Sequence, residues 1–199
     1  MRLIGITGGI GTGKTTVTNY IHRRYRLPVW DADIYARSAV AVGSPILHTI
    51  SQRYGIDILR PDGTLDRHRL GKIIFGNINE RQWLEVQIHP YVRTCFETEI
   101  EHLAPDDTAV LAIPLLFEAK MTDLVTEIWV VSCDRHTQLD RMMTRDALTA
   151  TLPERIDAAA AQRRIDSQMS LRDKIALADV NLDNSTNITN LEAQIDPLF

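Results

Sequence analysis

Apolar residues occur along this 199-residue chain in two patterns, and each pattern predicts its own kind of secondary structure. Short runs that are apolar on both faces predict buried strands. These strands are expected at residues 2–7, 28–31, 108–113, 127–132 and 180–182. Apolar residues three and four positions apart predict helices. The helices are expected at residues 14–24, 32–40, 45–54, 67–75, 79–89, 90–102, 134–145, 153–168 and 188–198.

The alternation of strands and helices predicts an α/β fold with a mainly parallel five-stranded sheet covered by helices on both faces, in three layers. We assign about 1–43, 106–135 and 176–199 to this core. The region from about 44 to 105 contains no convincing strand pattern, so we expect it to be a helical insertion in the core. Pro90 is expected to end one of its helices and to open the next, because proline is tolerated in a helix's first turn.

Composition excludes several classes of protein. The chain is 44% hydrophobic and 24% charged, as expected for one soluble domain, and its net charge of −4 leaves no globally basic surface for nucleic acid. Local basic groups remain possible. Cys95 and Cys133 have neither metal-ligand nor redox spacing. No apolar run reaches the ~20 residues that span a bilayer. We therefore expect a cytoplasmic protein without membrane or nucleic-acid partners.

The stretch GGIGTGKTT, residues 8–16, follows the first strand and opens the first helix. It meets the phosphate-loop (P-loop) pattern G-x-x-x-x-G-K-[ST] at Gly8, Gly13, Lys14 and Thr15. Glycines let backbone N–H groups surround phosphate, and the helix N-terminus favours an anion. Lys14 is expected to reach the β- and γ-phosphates of ATP, and the Thr15 hydroxyl to bind Mg²⁺. The predicted nucleotide-binding residues are Gly8, Gly11, Thr12, Gly13, Lys14, Thr15 and Thr16.

Asp31 ends the second predicted strand, and Asp33 follows two residues later in the sequence DAD. If the chain is still extended there, both carboxylates point to the same side, toward the crevice at the strand ends where ligands bind. A kinase needs a carboxylate to orient the attacking hydroxyl or to accept its proton. The alternative is that one of the two caps the helix that follows.

Two further pairs of residues lie at helical spacing. His89 and Arg93 are four apart in the insertion, although a lone histidine is usually a packed or surface side chain. Arg141 and Arg145 are four apart in a region of about 136–175, which we interpret as a helical lid with Arg155, Arg163 and Arg164. Guanidinium groups there would stabilise a transferring phosphoryl group. The alternative is that the carboxylates of Asp140 and Asp146 only neutralise the positive charges of the two arginines.

Missing motifs narrow the alternatives. There is no N-K-x-D motif for guanine, which argues against a GTPase, and the strand at 108–113 runs into Pro114 instead of a Walker B carboxylate. A small-molecule or nucleotide kinase remains, and a nucleotide-dependent regulatory switch is the less favoured reading.

The motifs taken in order resemble the dephospho-coenzyme A kinase family, over nearly the whole chain. They are IGITGGIGTGKTT, DADIYAR at 31–37, DGTLDRHRL at 62–70, WLEVQIHPYVR at 83–93, IPLLFE at 113–118, QLDRMMTRD at 138–146 and RIDSQMS with ADVNLDNS near the end. The resemblance implies a kinase with a nucleotide core, a substrate-binding insertion and a lid.

Its implied reaction is phosphorylation of the ribose 3′-hydroxyl of 3′-dephospho-CoA by ATP with Mg²⁺, the last step of coenzyme A synthesis. Asp33, Lys14 and Arg141 are the implied catalytic residues. The implied acceptor contacts are Asp31, Asp33, His89, Arg93 and Leu115. Trp30 departs from the usual aliphatic residue, and Leu171 stands where a basic residue is frequent. The oligomeric state is expected to be a monomer or a weak homo-oligomer.

Overall fold

A five-stranded parallel sheet forms the centre of the computed structural model, which describes residues 1–149 and 157–199. Its strand order is β2-β3-β1-β4-β5, and every pair is parallel. The strands are β1 Arg2–Gly8, β2 Val29–Asp31, β3 Thr108–Ala112, β4 Glu127–Ser132 and β5 Val180–Asp183. The predicted α/β class and the five strands are confirmed.

Helices make up most of the remaining described chain. They are α1 Lys14–Tyr25, α2 Ala32–Ala39, α3 Pro45–Tyr54, α4 Arg67–Gly76, α5 Ile78–Glu101, α6 Arg135–Thr149, α7 Ala158–Asp166, α8 Leu171–Ala176 and α9 Ile188–Ile195. Residues 150–156, including Arg155 and the start of the helix expected at 153–168, lie outside the described residues. In the described ranges, no helix is both long enough and apolar enough to cross a membrane.

The chain divides into two compact units, 1–31 with 103–199, and 32–102. The first unit, called the core unit, contains the sheet. Ile6 of β1 pairs with Ala112 on one side and Trp129 on the other, and all three are buried. Helix α1 packs Val17 and Ile21 into the same cluster. Parallel register brings the carboxyl ends of all five strands to one edge of the sheet.

The second unit, called the helical unit, is built from α2 to α5 around Leu47, Ile50 and Ile58, all buried. The expected helix break at Pro90 is wrong, because α5 runs through it as one helix of 24 residues. A proline inside a helix removes one hydrogen bond and crowds the carbonyl one turn earlier. Leu84 before Pro90 and both Val92 and Phe96 after it are buried, so packing on either side keeps the helix continuous.

Candidate active site

The phosphate loop joins β1 to α1, and its shape depends on glycine. Gly8 has φ 147° and Gly13 has φ 99°, both in the range that L side chains rarely adopt. A Cβ atom on Gly8 would lie 2.3 Å from the Val131 carbonyl oxygen, and one on Gly13 would lie 2.1 Å from Asn184 Nδ2. The loop therefore packs directly against β4 and against the residue that follows β5, at the carboxyl edge of the sheet.

The charged group of Lys14 lies over this loop. Its Nζ donates hydrogen bonds to the carbonyl oxygens of Gly8 at 3.1 Å and Gly9 at 2.9 Å. Lys14 is also the first residue of α1, whose N-terminal N–H groups and dipole favour an anion. A positive side chain and a helix N-terminus thus meet at one short loop, as binding of a polyphosphate requires.

The three threonines of the loop differ in their surroundings. Thr12 is fully buried, and its hydroxyl donates to the Gly9 carbonyl oxygen at 3.0 Å, so its side chain maintains the loop's shape. Thr16 is partly buried in the first turn of α1, whereas Thr15 is exposed beside it. Thr15 is therefore the hydroxyl that a ligand in solvent can reach.

Arg141 and Asn184 hold the end of the loop that enters α1. Arg141 Nη2 donates to the Asn184 carbonyl oxygen at 3.0 Å, and its Nη1 lies 3.5 Å from the Thr12 carbonyl oxygen. Asn184 is buried and donates from Nδ2 to the Thr12 carbonyl oxygen at 2.8 Å. Arg141 therefore lies at the phosphate loop, while Arg145, one turn further along α6, is exposed.

Two glutamines that our sequence reasoning did not select fix the middle of the loop. The buried Gln138 of α6 donates from Nε2 to the Ile10 carbonyl oxygen at 2.9 Å. Gln168, which follows α7, accepts from the Ile10 N–H at 3.1 Å. Ile10 itself packs against the apolar cluster of Met142 and Ile165. Two residues of the predicted lid region thus form hydrogen bonds with the backbone N–H and carbonyl groups of one phosphate-loop residue.

A buried ion pair organises the turn that follows β3. Lys174 of α8 has no exposed surface, and its Nζ lies 3.0 Å from Glu118 and donates to the Pro114 carbonyl oxygen at 2.9 Å. Burial lowers the pKa of Lys174, and the Glu118 carboxylate opposes that shift. Thr7, at the end of β1, donates to the same carbonyl at 3.1 Å. Leu115 lies partly buried in this turn.

A cavity of about 310 Å³ opens beside the loop in the core unit. Its lining combines the backbone of Gly9 with polar side chains of α6 and of the segment after α7, among them Arg135, Gln138 and Gln168. Arg135 forms an ion pair with Asp166 at its rim. Ile165, Met169 and Leu171 also line the cavity, so it offers both polar and apolar contacts next to the phosphate loop.

The carboxylates of Asp31 and Asp33 stand on different elements. Asp31 is the last residue of β2 and pairs with Ala112. Helix α2 begins at Ala32, which makes Asp33 a residue of its first turn. The condition under which both carboxylates would point to the same side, an extended chain through Asp33, is not met, since a helix turns each residue by about 100° and not by 180°. Asp33 is exposed, and a carboxylate is favoured in a helix's first turn.

His89 and Arg93 lie one turn apart on α5 in the helical unit. Both are partly buried. Burial lowers the pKa of His89, and the Glu85 carboxylate opposes this shift. Arg93 forms an ion pair with Glu97 at 3.3 Å. Both residues are thus anchored to one long helix, and His89 is biased toward its neutral form.

The protein groups at the phosphate loop can bind Mg²⁺ only together with a nucleotide, whose phosphate oxygens supply further metal ligands. Within 1–149 and 157–199, no group of three or more His, Cys, Asp or Glu side chains could hold a metal ion. Mg²⁺ in phosphoryl-transfer sites takes few protein ligands and most of its others from phosphates and water. The exposed Thr15 hydroxyl fits that donor set.

Comparisons with known protein sequences and solved structures match one family over nearly the whole chain. The sequence model of one family, described as CoaE, dephospho-CoA kinase, matches residues 2–190. A dephospho-CoA kinase of Synechocystis sp. is 53% identical over 98% of this chain and 92% of its own. One from Trichormus variabilis is 55% identical over 98% and 95%. The solved dephospho-CoA kinase of Campylobacter jejuni shares the fold, with a TM-score of 0.69 at 24% identity over 100% of this chain and 96% of its own.

Proposed function

The chain belongs to the dephospho-CoA kinase family, and from that premise we propose that it transfers the γ-phosphoryl group of ATP to the ribose 3′-hydroxyl of 3′-dephospho-CoA, giving CoA and ADP. The observation that carries the proposal is the glycine-dependent loop with Lys14 at the N-terminus of α1, within a family match of residues 2–190. We further propose that it acts in the cytoplasm as a monomer or weak homo-oligomer.

In this proposal the loop holds the phosphates of ATP. Lys14 releases the Gly8 and Gly9 carbonyls and turns its ammonium to the β- and γ-phosphates. The Thr15 hydroxyl is the protein's ligand for Mg²⁺, which when bound neutralises charge between the β- and γ-phosphates. Gly11, Thr12, Gly13 and Thr16 keep the cradle's shape around the nucleotide.

Asp33 acts on the acceptor. Its carboxylate orients the 3′-hydroxyl and takes its proton as the oxygen bonds to the γ-phosphorus and the bond to the ADP oxygen breaks. A loose transition state asks for positioning and charge neutralisation more than covalent help. Exposure of Asp33 in the first turn of α2 supports this role, because solvent and a dissolved substrate reach this residue.

Arginines supply the remaining positive charge. We assign Arg141 to the transferring phosphates, from its position at the phosphate loop, and Arg145 to the lid around it. Asp31, His89, Arg93 and Leu115 are the proposed acceptor contacts. The proposed division of labour keeps a nucleotide core of about 1–43, 106–135 and 176–199, an acceptor-binding insertion of about 44–105 and a lid of about 136–175.

The direct test mixes the protein with Mg-ATP and dephospho-CoA, and measures CoA and ADP by chromatography. We expect stoichiometric CoA and ADP, and no product with shikimate or a nucleoside monophosphate as acceptor. Preference for one of those acceptors would replace the proposal by another small-molecule kinase. ATP hydrolysis that dephospho-CoA does not change would favour a regulatory switch.

Two variants test the assigned roles. Asp33→Asn should keep the affinity for ATP and lose about 100-fold or more in turnover, the size of a general-base contribution. Lys14→Ala should weaken both ATP binding and turnover. Asp106→Asn, an exposed carboxylate elsewhere in the core unit, is the matched control and should behave as wild type. Normal turnover of Asp33→Asn with loss in Asp31→Asn would reverse the roles of the two carboxylates.

A further inference from the structure

Three arginines of the helical unit, Arg37, Arg60 and Arg67, form what we call the three-arginine cluster. Arg37 belongs to α2, and Arg67 is the first residue of α4. Arg60 lies on a short hairpin that leads into α4, in which Leu59 pairs antiparallel with Leu65. The Arg60 N–H closes this hairpin on the Thr64 carbonyl oxygen at 2.7 Å. The hairpin therefore fixes Arg60 close to the start of α4.

The end of α2 packs on the same hairpin and helix. Val40, three residues after Arg37, shares one buried cluster with Ile58, Leu65 and Leu70. Ile58 and Leu65 belong to the hairpin region, and Leu70 to the first turns of α4. A common apolar core thus holds together the three segments that carry the arginines.

The guanidinium groups of the cluster repel one another. Partial burial lowers the pKa of Arg67, and the positive charges of Arg37 and Arg60 lower it further. Ion pairs occupy other arginines of this unit, namely Arg53 with Glu80, Arg81 with Glu85 and Arg93 with Glu97. In the part of the chain that the structure describes, none of the three cluster arginines forms an ion pair. Like charges gathered without an ion pair are unfavourable, and a bound anion would relieve their repulsion.

Two carboxylates near Arg60, those of Asp62 and Asp66, offset part of this charge. The positive charge of Arg60 contributes to lowering the pKa of both Asp62 and Asp66, after their hydrogen bonds. Asp62 already accepts from the Thr64 N–H at 3.0 Å and hydroxyl at 2.6 Å, and Asp66 caps α4. Neither carboxylate is among the causes that shift the pKa of Arg67, which the positive charges of Arg37 and Arg60 lower.

Position along α2 indicates which anion suits the cluster. Arg37 follows Asp33 by four residues, one helical turn of about 5.4 Å on the same face. The proposed acceptor carries its 3′-hydroxyl and its 5′-diphosphate ester on one ribose ring. A carboxylate and an arginine one turn apart match a hydroxyl and a diphosphate held by one sugar.

We propose that the three-arginine cluster binds the 5′-diphosphate of the acceptor, while Asp33 receives the 3′-hydroxyl of the same ribose. Planar guanidinium groups bind phosphate oxygens in pairs, so the cluster fixes the orientation of the sugar as well as the affinity. The assignment rests on the proposed function, because it names the part of the substrate that this surface recognises.

The test is a set of charge-removing variants, Arg37→Gln, Arg60→Gln and Arg67→Gln, with Lys72→Gln as the matched control. Lys72 is an exposed cation of α4 outside the cluster. Loss of one charge-assisted contact predicts a KM for dephospho-CoA raised about tenfold or more by Arg37→Gln and Arg67→Gln, and less by Arg60→Gln. The KM for ATP should stay as in wild type, and the thermal midpoint should not fall, because each of the three variants removes one of the mutually repelling charges. Arg67→Lys should recover part of the affinity, since it keeps the charge.

Calorimetry without ATP separates this inference from the proposed function. Dephospho-CoA should bind the wild type and lose affinity in the variants, whereas adenosine, which has no diphosphate, should bind all of them equally. Turnover of dephospho-CoA with an unchanged KM in the triple variant would overturn the cluster's role and leave the kinase standing. A wild type without kinase activity would overturn the function, and equal binding of dephospho-CoA by wild type and triple variant would then refute the cluster too.

Discussion

Replacing Gly13 by alanine tests how tightly the phosphate loop is packed. Gly13 adopts φ 99° and ψ 26°, a left-handed conformation, at the residue before α1. Its missing side chain leaves room for Asn184 Nδ2, which would lie 2.1 Å from an added Cβ atom. Asn184 is only 6% exposed and donates to the Thr12 carbonyl oxygen, so it has little room to move away.

The expected destabilisation has two parts. A left-handed conformation costs a residue with a Cβ atom about 1–2 kcal/mol. Displacing Asn184 breaks its 2.8 Å hydrogen bond and leaves buried polar groups with weaker partners, which costs about 1–3 kcal/mol more. Gly13→Ala should therefore lower the free energy of unfolding by about 2–5 kcal/mol. Gly43→Ala is the matched control, because Gly43 has φ 84° with nothing within 4 Å of an added Cβ, and it should cost about 1–2 kcal/mol.

Urea unfolding of a double-mutant cycle provides the measurement. Asn184→Ala removes both the clash and the hydrogen bond, so Gly13→Ala should cost only about 1–2 kcal/mol in that background. The two substitutions should thus be non-additive by at least about 1 kcal/mol. Additive effects, or a Gly13→Ala variant as stable as Gly43→Ala, would refute the argument that Asn184 fills the space above Gly13.

Three further predictions concern stability. Glu118→Gln should lower the free energy of unfolding by about 3 kcal/mol, because it leaves the buried ammonium of Lys174 without its counter-charge, and adding Lys174→Met should restore most of it in urea unfolding. The hydrogen bonds that Arg53 donates are the main reason why the pKa of Glu80 falls from 4.5 to about 2. The ionised Glu80 therefore stabilises the folded protein fully above pH 4.5, and this stabilisation is lost as the pH falls toward about 2. Glu80→Gln should flatten that part of the pH profile of the thermal midpoint, and an unchanged profile would contradict the assignment. Pro90→Ala should raise the free energy of unfolding by up to about 3 kcal/mol through a restored backbone hydrogen bond, and a loss would show that the proline fits its site better than alanine.

The sequence predicts the sheet well because its signal is local. Buried parallel strands are apolar on both faces, and β4 occupies the predicted residues 127–132. Pro90 was misjudged because a local rule for proline ignores the packing of α5, which is long-range. The sequence leaves open whether Asp33 lies on extended chain or in a helix, because a three-residue strand gives no signal for where it ends.

The hydrogen bonds from Gln138 and Gln168 to the phosphate loop could not be predicted from a local signal. Gln138 and Gln168 reach Ile10 across 128 and 158 residues of chain. Both stand in motifs of the family resemblance, QLDRMMTRD and RIDSQMS, but the letters of a motif do not say which distant backbone group a side chain binds. One signal was available in retrospect. Gly9 and Gly11 flank Ile10, and a Cβ atom on Gly9 would lie 2.5 Å from Gln138 Nε2, so these glycines serve close packing as well as phosphate binding.

Net charge is a poor guide to how this protein meets its anions. The chain carries −4 overall, yet both proposed substrates are polyanions. Electrostatic interactions fade over about 8–10 Å at moderate ionic strength, so what an incoming phosphate feels at contact is the local group and not the total. Lys14 with the α1 N-terminus provides such a group in the core unit, and the three-arginine cluster provides another in the helical unit.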